Sequence, residues 1–277
     1  MVAFGSVRSC GVTTSAAAVA ATWPAGRRVL VVEADPAGGT LAAASGWPPE
    51  PSLVSLAAAA RRGGDPSLVW EHGQKLPGGA AVLAGPASAD HVRGALAMVG
   101  GLLARIGEVD ADVLVDCGRL DPASPVHGLW ERADRAVLVV RPRLADLQAA
   151  ATWLETRPFA GNRLGLLTVG DGPYPDAEIT EALGVEVLAR LPWDGDAASA
   201  LLGVPASARE LRMAPLVRAA RSFADHLAAD GVGRTPGPAT AATEAADGSV
   251  RGRVRRAFRP DTATVSTNGT APEQVSP

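Results

Sequence analysis

Short apolar runs alternate with longer amphipathic or alanine-rich stretches along most of the chain. The runs are rich in valine and leucine, a pattern typical of strands that are buried on both faces of a parallel sheet. The stretches between them have the apolar spacing of helices. Strands and helices in this alternating order predict a doubly wound α/β fold, with a mainly parallel sheet and helices on both of its faces.

The same pattern predicts where each element lies. The predicted strands are 2–4, 29–33, 80–83, 113–115, 136–140, 164–169 and 187–191. The predicted helices are 13–23, 90–106, 144–155, 176–183 and 216–229. Beyond Gly231 large apolar residues become scarce and Gly, Pro, Thr, Ala and Ser dominate. We therefore predict one domain over 1–230 and a disordered tail over 231–277.

Composition narrows the class of protein. An apolar content of 47% in 277 residues allows a sizeable core. The 26 basic and 29 acidic residues leave a net charge of −3, which excludes an overall field strong enough to drive the protein onto nucleic acid or an anionic membrane. Two cysteines are too few for a disulfide framework, and we find neither a secretory signal nor a spanning segment. We expect a cytoplasmic protein.

The segment GSVRSCGVTT, residues 5–14, joins the first predicted strand to the first predicted helix. A phosphate loop occupies this place in many α/β proteins. Its backbone N–H groups surround the phosphates, a lysine neutralises them, and a Ser or Thr hydroxyl binds Mg²⁺. Gly11 suits the turn, and Thr13 and Thr14 place hydroxyls at the start of the helix. Val12 stands where the lysine is needed, so the positive charge is missing.

Acidic residues end two of the predicted strands. Glu33 and Asp35 close the stretch VLVVEADPAGG, and Asp116 closes VLVDCG. Ligands of open parallel sheets bind at the carboxyl ends of the strands. We therefore expect these carboxylates to lie beside the loop.

Taken together, the loop and the two acidic strand ends resemble the ParA/MinD family of P-loop ATPases, whose loop reads KGGVGKTT. The later stretches DRAVLVVRPRLADLQAAATWLE, NRLGLLTV and LARLPWDGDAASALLGVP are similar to following segments of that family. The resemblance covers roughly residues 1–230. With the match ending on the two threonines, the family's lysines fall on Val7 and Val12, and its two adjacent glycines fall on Arg8 and Ser9.

The resemblance implies ATP and Mg²⁺ as cofactors. It makes Thr13 and Asp116 the Mg²⁺ ligands, with Asp116 acting through the water shell of the metal. Thr14 would contact phosphate and Asp35 would orient the attacking water. The nucleotide-binding residues that it implies are Arg8, Ser9, Cys10, Gly11, Val12, Thr13, Thr14, Glu33, Asp35 and Asp116.

Loss of both loop lysines predicts a degenerate member of this fold, because phosphoryl transfer depends on positioning and on electrostatic stabilisation. We expect hydrolysis to be weak or lost. The missing charges also argue against binding of ATP and Mg²⁺, which the sequence leaves open. The function implied is then positional. A scaffold or regulator would bind protein partners in cell division, partitioning or pilus placement, with the TadZ/CpaE branch as the nearest analogy and a homodimer as the implied assembly.

Two other functions remain open. The first is an active MinD/ParA-type ATPase in which Arg8, the one cation of the loop, replaces the lysines. The second is a small-molecule enzyme on the same scaffold, similar to dethiobiotin synthetase, and this class depends on ATP chemistry even more strongly.

A basic segment, SVRGRVRRAFRP, interrupts the tail. In a helix Val250, Val254 and Phe258 would share one face while the arginines lay elsewhere. The resulting amphipathic patch at 250–259 could dock on an anionic membrane, as the C-terminal helix of MinD does, or bind nucleic acid through phosphates. A solvated basic tail is the simpler interpretation. The membrane alternative would place the protein peripherally at the inner face of the membrane.

Overall fold

The computed structural model describes residues 1–61, 64–121, 124–156, 163–230 and 249–258. Its strands are β1 (Val2–Ser6), β2 (Val29–Glu33), β3 (Gln74–Lys75), β4 (Ala81–Leu83), β5 (Asp112–Arg119), β6 (Arg135–Val140), β7 (Leu164–Val169) and β8 (Val187–Leu191). Its helices are α1 (Val12–Ala21), α2 (Leu41–Ala44), α3 (Leu53–Ala60), α4 (Ala89–Leu103), α5 (His127–Arg132), α6 (Leu144–Thr156), α7 (Asp176–Leu183), α8 (Gly195–Leu201), α9 (Ala208–Met213), α10 (Pro215–Ala229) and α11 (Val250–Ala257). Every strand and helix predicted within residues 1–230 is present, with its ends shifted by a few residues.

The strands form one sheet in the order β3-β4-β2-β5-β1-β6-β7-β8. The short edge strand β3 runs antiparallel to β4, and the other pairs are parallel. The predicted doubly wound, mainly parallel fold is thus confirmed. Strands β2, β4 and β5 lie on one side of β1, and β6 to β8 lie on the other. The direction of winding therefore changes at β1, which is where an open α/β sheet forms a crevice for ligands.

Two apolar clusters, one on each face of the sheet, form the core. Side chains alternate along β1, so Val2 and Phe4 belong to one cluster and Ala3 belongs to the other. The cluster that contains Phe4 includes residues of α1, α8 and α10, and we call this side the α1 face. The cluster that contains Ala3 includes residues of α3 to α7 and α11, and we call this side the α6 face.

The hydrophobic pattern missed β3 and the helices α2, α3, α5, α8 and α9. These elements are short, so each offers too few turns or residues for a periodicity to be recognised. Helix α3 shows which signal was available instead. The Ser52 hydroxyl accepts from the backbone N–H of Val54 at 3.2 Å, and the Ser55 hydroxyl accepts from that of Ser52 at 2.9 Å. This reciprocal capping box marks the start of the helix.

The basic segment near the C-terminus forms a helix, α11, packed on the α6 face. Val254 and Phe258 are buried, and the centre of the Phe258 ring lies 4.1 Å from the centre of the Tyr174 ring. Glu155 of α6 accepts from the backbone N–H of Arg251 at 2.7 Å and pairs with its Nε at 2.9 Å. Residues 249–258 therefore differ from the disordered tail expected there, because their apolar face finds a partner on the domain. The rest of that tail, 231–248 and 259–277, lies outside the described residues.

Removal of the Phe258 ring is expected to release α11. The ring is only 1% exposed, and replacing a buried Phe by Ala typically costs about 3 kcal/mol, a large loss for so short a helix. Phe258→Ala should therefore open the arginines at 251–256 to trypsin, and mass spectrometry of a timed digest would measure the cleavage. The exposed neighbouring change Ala257→Ser is the control. Equal cleavage rates in the two variants would contradict the packing of α11.

Within the described residues, no helix combines the length and the apolar character that crossing a membrane requires.

Candidate functional site

The site residues predicted on the three strand ends lie together at the carboxyl edge of the sheet. In the ladder of β2 and β5, Glu33 is paired with Asp116, and in that of β1 and β5, Phe4 is paired with Asp116. The loop that follows β1 is therefore directly beside both carboxylates. The loop and both carboxylates thus lie together at the carboxyl edge of the sheet, where the sequence analysis expected them.

The loop enters α1 through Gly11. Its φ of 89° lies in the left-handed region, which glycine adopts without strain. The first turn of α1, from Val12 to Ser15, is uncharged, and no side chain of the described residues caps it. The backbone N–H groups at this end of the helix, together with its dipole, favour a negatively charged group. The Ser6 hydroxyl donates to the carbonyl of Arg8 and holds the loop in shape.

Both positions that correspond to the family lysines are used for packing. Val12 is 5% exposed and belongs to the apolar cluster of the α1 face, together with Cys10 and Val19. Val7 is half-buried and packs against the cluster of the opposite face. These side chains replace a charge with apolar contacts in the core.

Arg8 and Ser9 occupy the places of the two glycines. The Arg8 side chain is 59% exposed, and its Nε lies 4.0 Å from Oδ1 of Asp146 on α6. It is not among the residues that line the cavity described below. The Ser9 hydroxyl accepts from Nη2 of Arg119 at 3.0 Å. The Arg8 side chain of the loop therefore lies towards α6, and the Arg119 side chain at the end of β5 contacts the loop.

Cys10 is buried in the apolar cluster of the α1 face, and burial raises the pKa of its thiol. Cys117 lies in the cluster of the α6 face, where burial raises its pKa well above the ordinary value. Both cysteines are free. Cys10 therefore contributes to the site as an uncharged packing residue of the loop.

Asp116 is the most perturbed acid of the site. Its side chain is 0% exposed, its Oδ1 accepts from the backbone N–H of Gly118 at 2.9 Å, and the Thr13 side chain lies beside the carboxylate. Its Oδ2 is buried without a hydrogen-bond partner among the described residues. Burial, reinforced by the charges of Glu33 and Asp35, raises the pKa of Asp116 to about 7. A buried acceptor left unpaired in this way is well placed to bind a metal-held water.

Glu33 is bound entirely by backbone groups. Its Oε1 accepts from the N–H groups of Thr40 at 2.7 Å and Leu41 at 2.9 Å, and its Oε2 accepts from that of Gly85 at 2.9 Å. Burial raises its pKa, although these three hydrogen bonds act in the opposite direction. The structure therefore gives Glu33 a structural function, in which one carboxylate fixes the loops that follow β2 and β4.

Asp35 is half-buried and turned towards the end of β5. It accepts from the backbone N–H of Ala37 at 2.8 Å, and burial raises its pKa while this hydrogen bond and the nearby Arg119 act in the opposite direction. Its carboxylate lies over Gly118, where a Cβ would overlap it, and Gly118 has a φ of +56°. Only glycine at 118 leaves room for Asp35 in this position.

An apolar cavity of about 230 Å³ opens beside the start of α1. Trp193, which follows β8 and is 67% exposed, forms part of its wall. Thr14 reaches the cavity, whereas Thr13 faces Asp116 on the other side of the helix start. The lining residues are Gly11, Thr14, Ser15, Val169, Leu191, Pro192, Trp193, Asp194, Gly195, Ala198 and Leu216.

The sequence analysis missed two arginines at the ends of the strands that flank β1. Arg119 ends β5 and bonds to Ser9. Arg141 directly follows β6, and its guanidinium carbon lies 5.2 Å from the centre of the Trp193 ring. Their positions at the ends of apolar strands are a signal that the sequence offers, because ligands of open parallel sheets bind at the carboxyl ends of the strands.

The residues present fit a magnesium nucleotide only in part. Thr13 and the unpaired oxygen of Asp116 suit a hydrated Mg²⁺ carried by phosphates. In the part of the chain that the structure describes, no cluster of three or more His, Cys, Asp or Glu side chains could bind a metal ion by itself. Val12, at the position where a phosphate loop carries its lysine, is buried. The described residues thus offer a hydroxyl, a carboxylate and a helix N-terminus that suit a magnesium phosphate, with an apolar side chain at position 12.

No protein-family model and no curated protein matches the sequence. Solved structures do match. The ParA family ATPase from Chlorobium tepidum TLS has a TM-score of 0.65 and 22% identity, over 81% of this chain and 98% of that chain. The septum site-determining protein MinD of Pyrococcus horikoshii OT3, complexed with Mg-ADP, has a TM-score of 0.62 and 19% identity, over 85% of this chain and 98% of that chain. The MinC:MinD cell division protein complex of Aquifex aeolicus has a TM-score of 0.59 and 14% identity, over 87% of this chain and 98% of that chain.

These identities establish the fold, and the chain has the ParA/MinD-like P-loop fold. The resemblance inferred from the loop and the strand ends is confirmed at this level. The neighbours are ATPases of the ParA and MinD type, which include cell division proteins. Fold alone does not establish activity, which depends on the site.

Proposed function

We propose that the chain is a ParA/MinD-like positional scaffold or regulator in which ATP hydrolysis is weak or lost. The observation that carries the proposal is the burial of Val12 in the apolar core at the start of α1. A lysine at this place would need its charge directed outward at phosphate. In this chain Val12 packs in the apolar core instead. Position 12 therefore contributes to stability and does not neutralise phosphate.

The size of the loss follows from what the missing group does. Phosphoryl transfer requires a preorganised cation at the charge that develops in the transition state, and removal of one such donor costs about 10²- to 10³-fold in rate. Both lysine positions carry valine, and Arg8 lies beside Asp146. We therefore place ATP and Mg²⁺ in this protein as ligands that regulate binding, with Thr13 and Asp116 at the metal.

Protein partners, a homodimer and a cytoplasmic location belong to the same proposal. A solved neighbour is a complex of MinD with MinC, which supports a function exerted through another protein. Contact of 250–259 with a membrane or nucleic acid would have to use the arginines of α11, because Val254 and Phe258 are covered by the domain.

We expect purified protein with Mg-ATP to release phosphate about a hundredfold or more slowly than a ParA/MinD-type enzyme that has both lysines. Asp35→Ala and Arg8→Ala should leave this residual rate unchanged, because neither residue then supports a competent transition state. A phosphate-release assay under single-turnover and steady-state conditions measures the rate. Substantial turnover that both substitutions abolish would instead favour the rival function, an ATPase based on Arg8.

A further inference from the structure

Arg141 carries a charge that the described structure leaves without an acceptor at Nε. The residue directly follows β6, at the carboxyl edge of the sheet, and its Nε is buried with no hydrogen-bond partner among the described residues. Buried donors in folded proteins are nearly always paired, with protein, water or a bound ion. An unpaired guanidinium nitrogen at the ligand edge therefore requires an explanation.

Arg141 lies near residues of both the loop and the cavity wall. Burial raises the pKa of the Cys10 thiol and the backbone N–H of Arg141 acts in the opposite direction, so Arg141 neighbours the loop residue that precedes Gly11. Its guanidinium carbon is 5.2 Å from the centre of the Trp193 ring, and Trp193 lines the cavity together with Gly11 and Thr14. A cation over an aromatic face at this distance is stabilised by the ring. The Trp193 ring thus holds the guanidinium beside the wall of the cavity.

The nearby carboxylates have other partners. Asp146 lies beside Arg8, with 4.0 Å between Oδ1 and Nε. Asp194, in the cavity wall, caps α8, since its Oδ1 accepts from the backbone N–H of Ala197 at 2.9 Å. The charge of Arg141 thus lies beside a cavity wall that also includes Gly11, at the uncapped N-terminus of α1. Both features attract an anion.

We propose that Arg141 is the phosphate-binding cation of this site, and that its ligand is a nucleotide whose phosphates lie between Arg141 and the start of α1. The inference rests on the nucleotide site contained in the proposed function. A guanidinium suits phosphate because it donates two parallel hydrogen bonds. Arg141 comes from β6 and not from the loop, so it supplies binding energy from a different direction than a loop lysine. Binding is retained while the charge needed for hydrolysis stays absent.

Calorimetry of the full chain with Mg-ADP and with adenosine tests this assignment. We expect Arg141→Gln to weaken Mg-ADP binding by about tenfold to a hundredfold, as loss of a charged hydrogen bond does. Arg141→Lys should recover part of the affinity. Arg143→Gln is the matched control, because Arg143 is exposed two residues further on, and its affinity should stay within about twofold of wild type. Adenosine binding should not respond to Arg141→Gln, since it has no phosphate.

The outcomes separate this inference from the proposed function. Equal affinity of Arg141→Gln and wild type for Mg-ADP would overturn the inference, and so would equal losses in the Arg141→Gln and Arg143→Gln variants. Failure of the wild type to bind Mg-ADP at all would also overturn it, while a scaffold without hydrolysis would stand. Fast turnover of ATP would overturn the proposed function alone. Thermal melting of each variant distinguishes lost binding from lost folding.

Discussion

Replacement of Val12 by lysine is expected to destabilise the protein by about 3 kcal/mol and to leave ATP hydrolysis unrestored. Val12 is 5% exposed within the apolar cluster of the α1 face. A lysine there must either lose its charge or force its side chain out of the core, and both cost several kcal/mol. The position that looks in sequence like a single missing charge is, in the folded chain, a packing position.

Chemical denaturation with guanidinium would measure the loss, and a phosphate-release assay would measure activity. Val12→Met is the matched control, because methionine has a similar length without the charge and so carries only the overpacking cost of a longer side chain, about 1 kcal/mol. The difference between the two variants then isolates the charge. A Val12→Lys protein as stable as Val12→Met, with Mg-ATP turnover above wild type, would contradict this prediction. It would show that the loop binds phosphate productively once the lysine is restored.

Much of the fold could be predicted because the buried strands are long and nearly continuous. The run from Arg135 to Val140, for example, is apolar after its first residue, as expected for a strand with helices on both faces. The position of the acidic strand ends was also predictable, because the carboxyl ends of parallel strands meet at one edge of the sheet, where ligands bind. The contact of Thr13 with Asp116 follows from that placement.

The rest of the site depends on contacts between segments that are distant in sequence. Arg141 and Trp193 meet only because the loops after β6 and β8 converge beside α1. Glu33 was expected at the nucleotide, but its oxygens accept from backbone N–H groups of the loop that follows β2 and of the loop that follows β4. No local pattern in VLVVEADPAGG distinguishes a ligand-facing carboxylate from one that binds loops together.

Replacement of Asp116 by asparagine is expected to stabilise the protein above pH 7. The carboxyl group of Asp116 has a pKa of about 7 in the folded chain against an ordinary value of 3.8. As the pH rises from about 4 to 7, the unfolded chain loses this proton while the folded chain keeps it. Stability from this group therefore falls over that range and levels off above pH 7. Each unit of pKa shift corresponds to about 1.4 kcal/mol, so the buried charge costs on the order of 4 kcal/mol at pH 8.

We expect Asp116→Asn to recover about half of that cost, near 2 kcal/mol, because its new amide group must find an acceptor in the space of the unpaired Oδ2. The oxygen of asparagine can still accept from the backbone N–H of Gly118. Below about pH 4, where the aspartate is protonated in both states, the charge cost is absent and only the amide penalty remains, so the variant should be less stable than wild type by about 2 kcal/mol. Melting temperatures measured from pH 4 to pH 8 would follow the trend.

Asp112→Asn is the matched control, because Asp112 lies at the other end of β5 in the opposite electrostatic setting. Its carboxylate accepts from Nε and Nη2 of Arg27, both at 2.6 Å, and from the indole N–H of Trp23 at 2.8 Å. Breaking a paired charge of this kind destabilises, so Asp112→Asn should lower the melting temperature while Asp116→Asn raises it. If Asp116→Asn also lowered it at pH 8, the folded chain would have to hold Asp116 as a well-solvated or metal-paired anion.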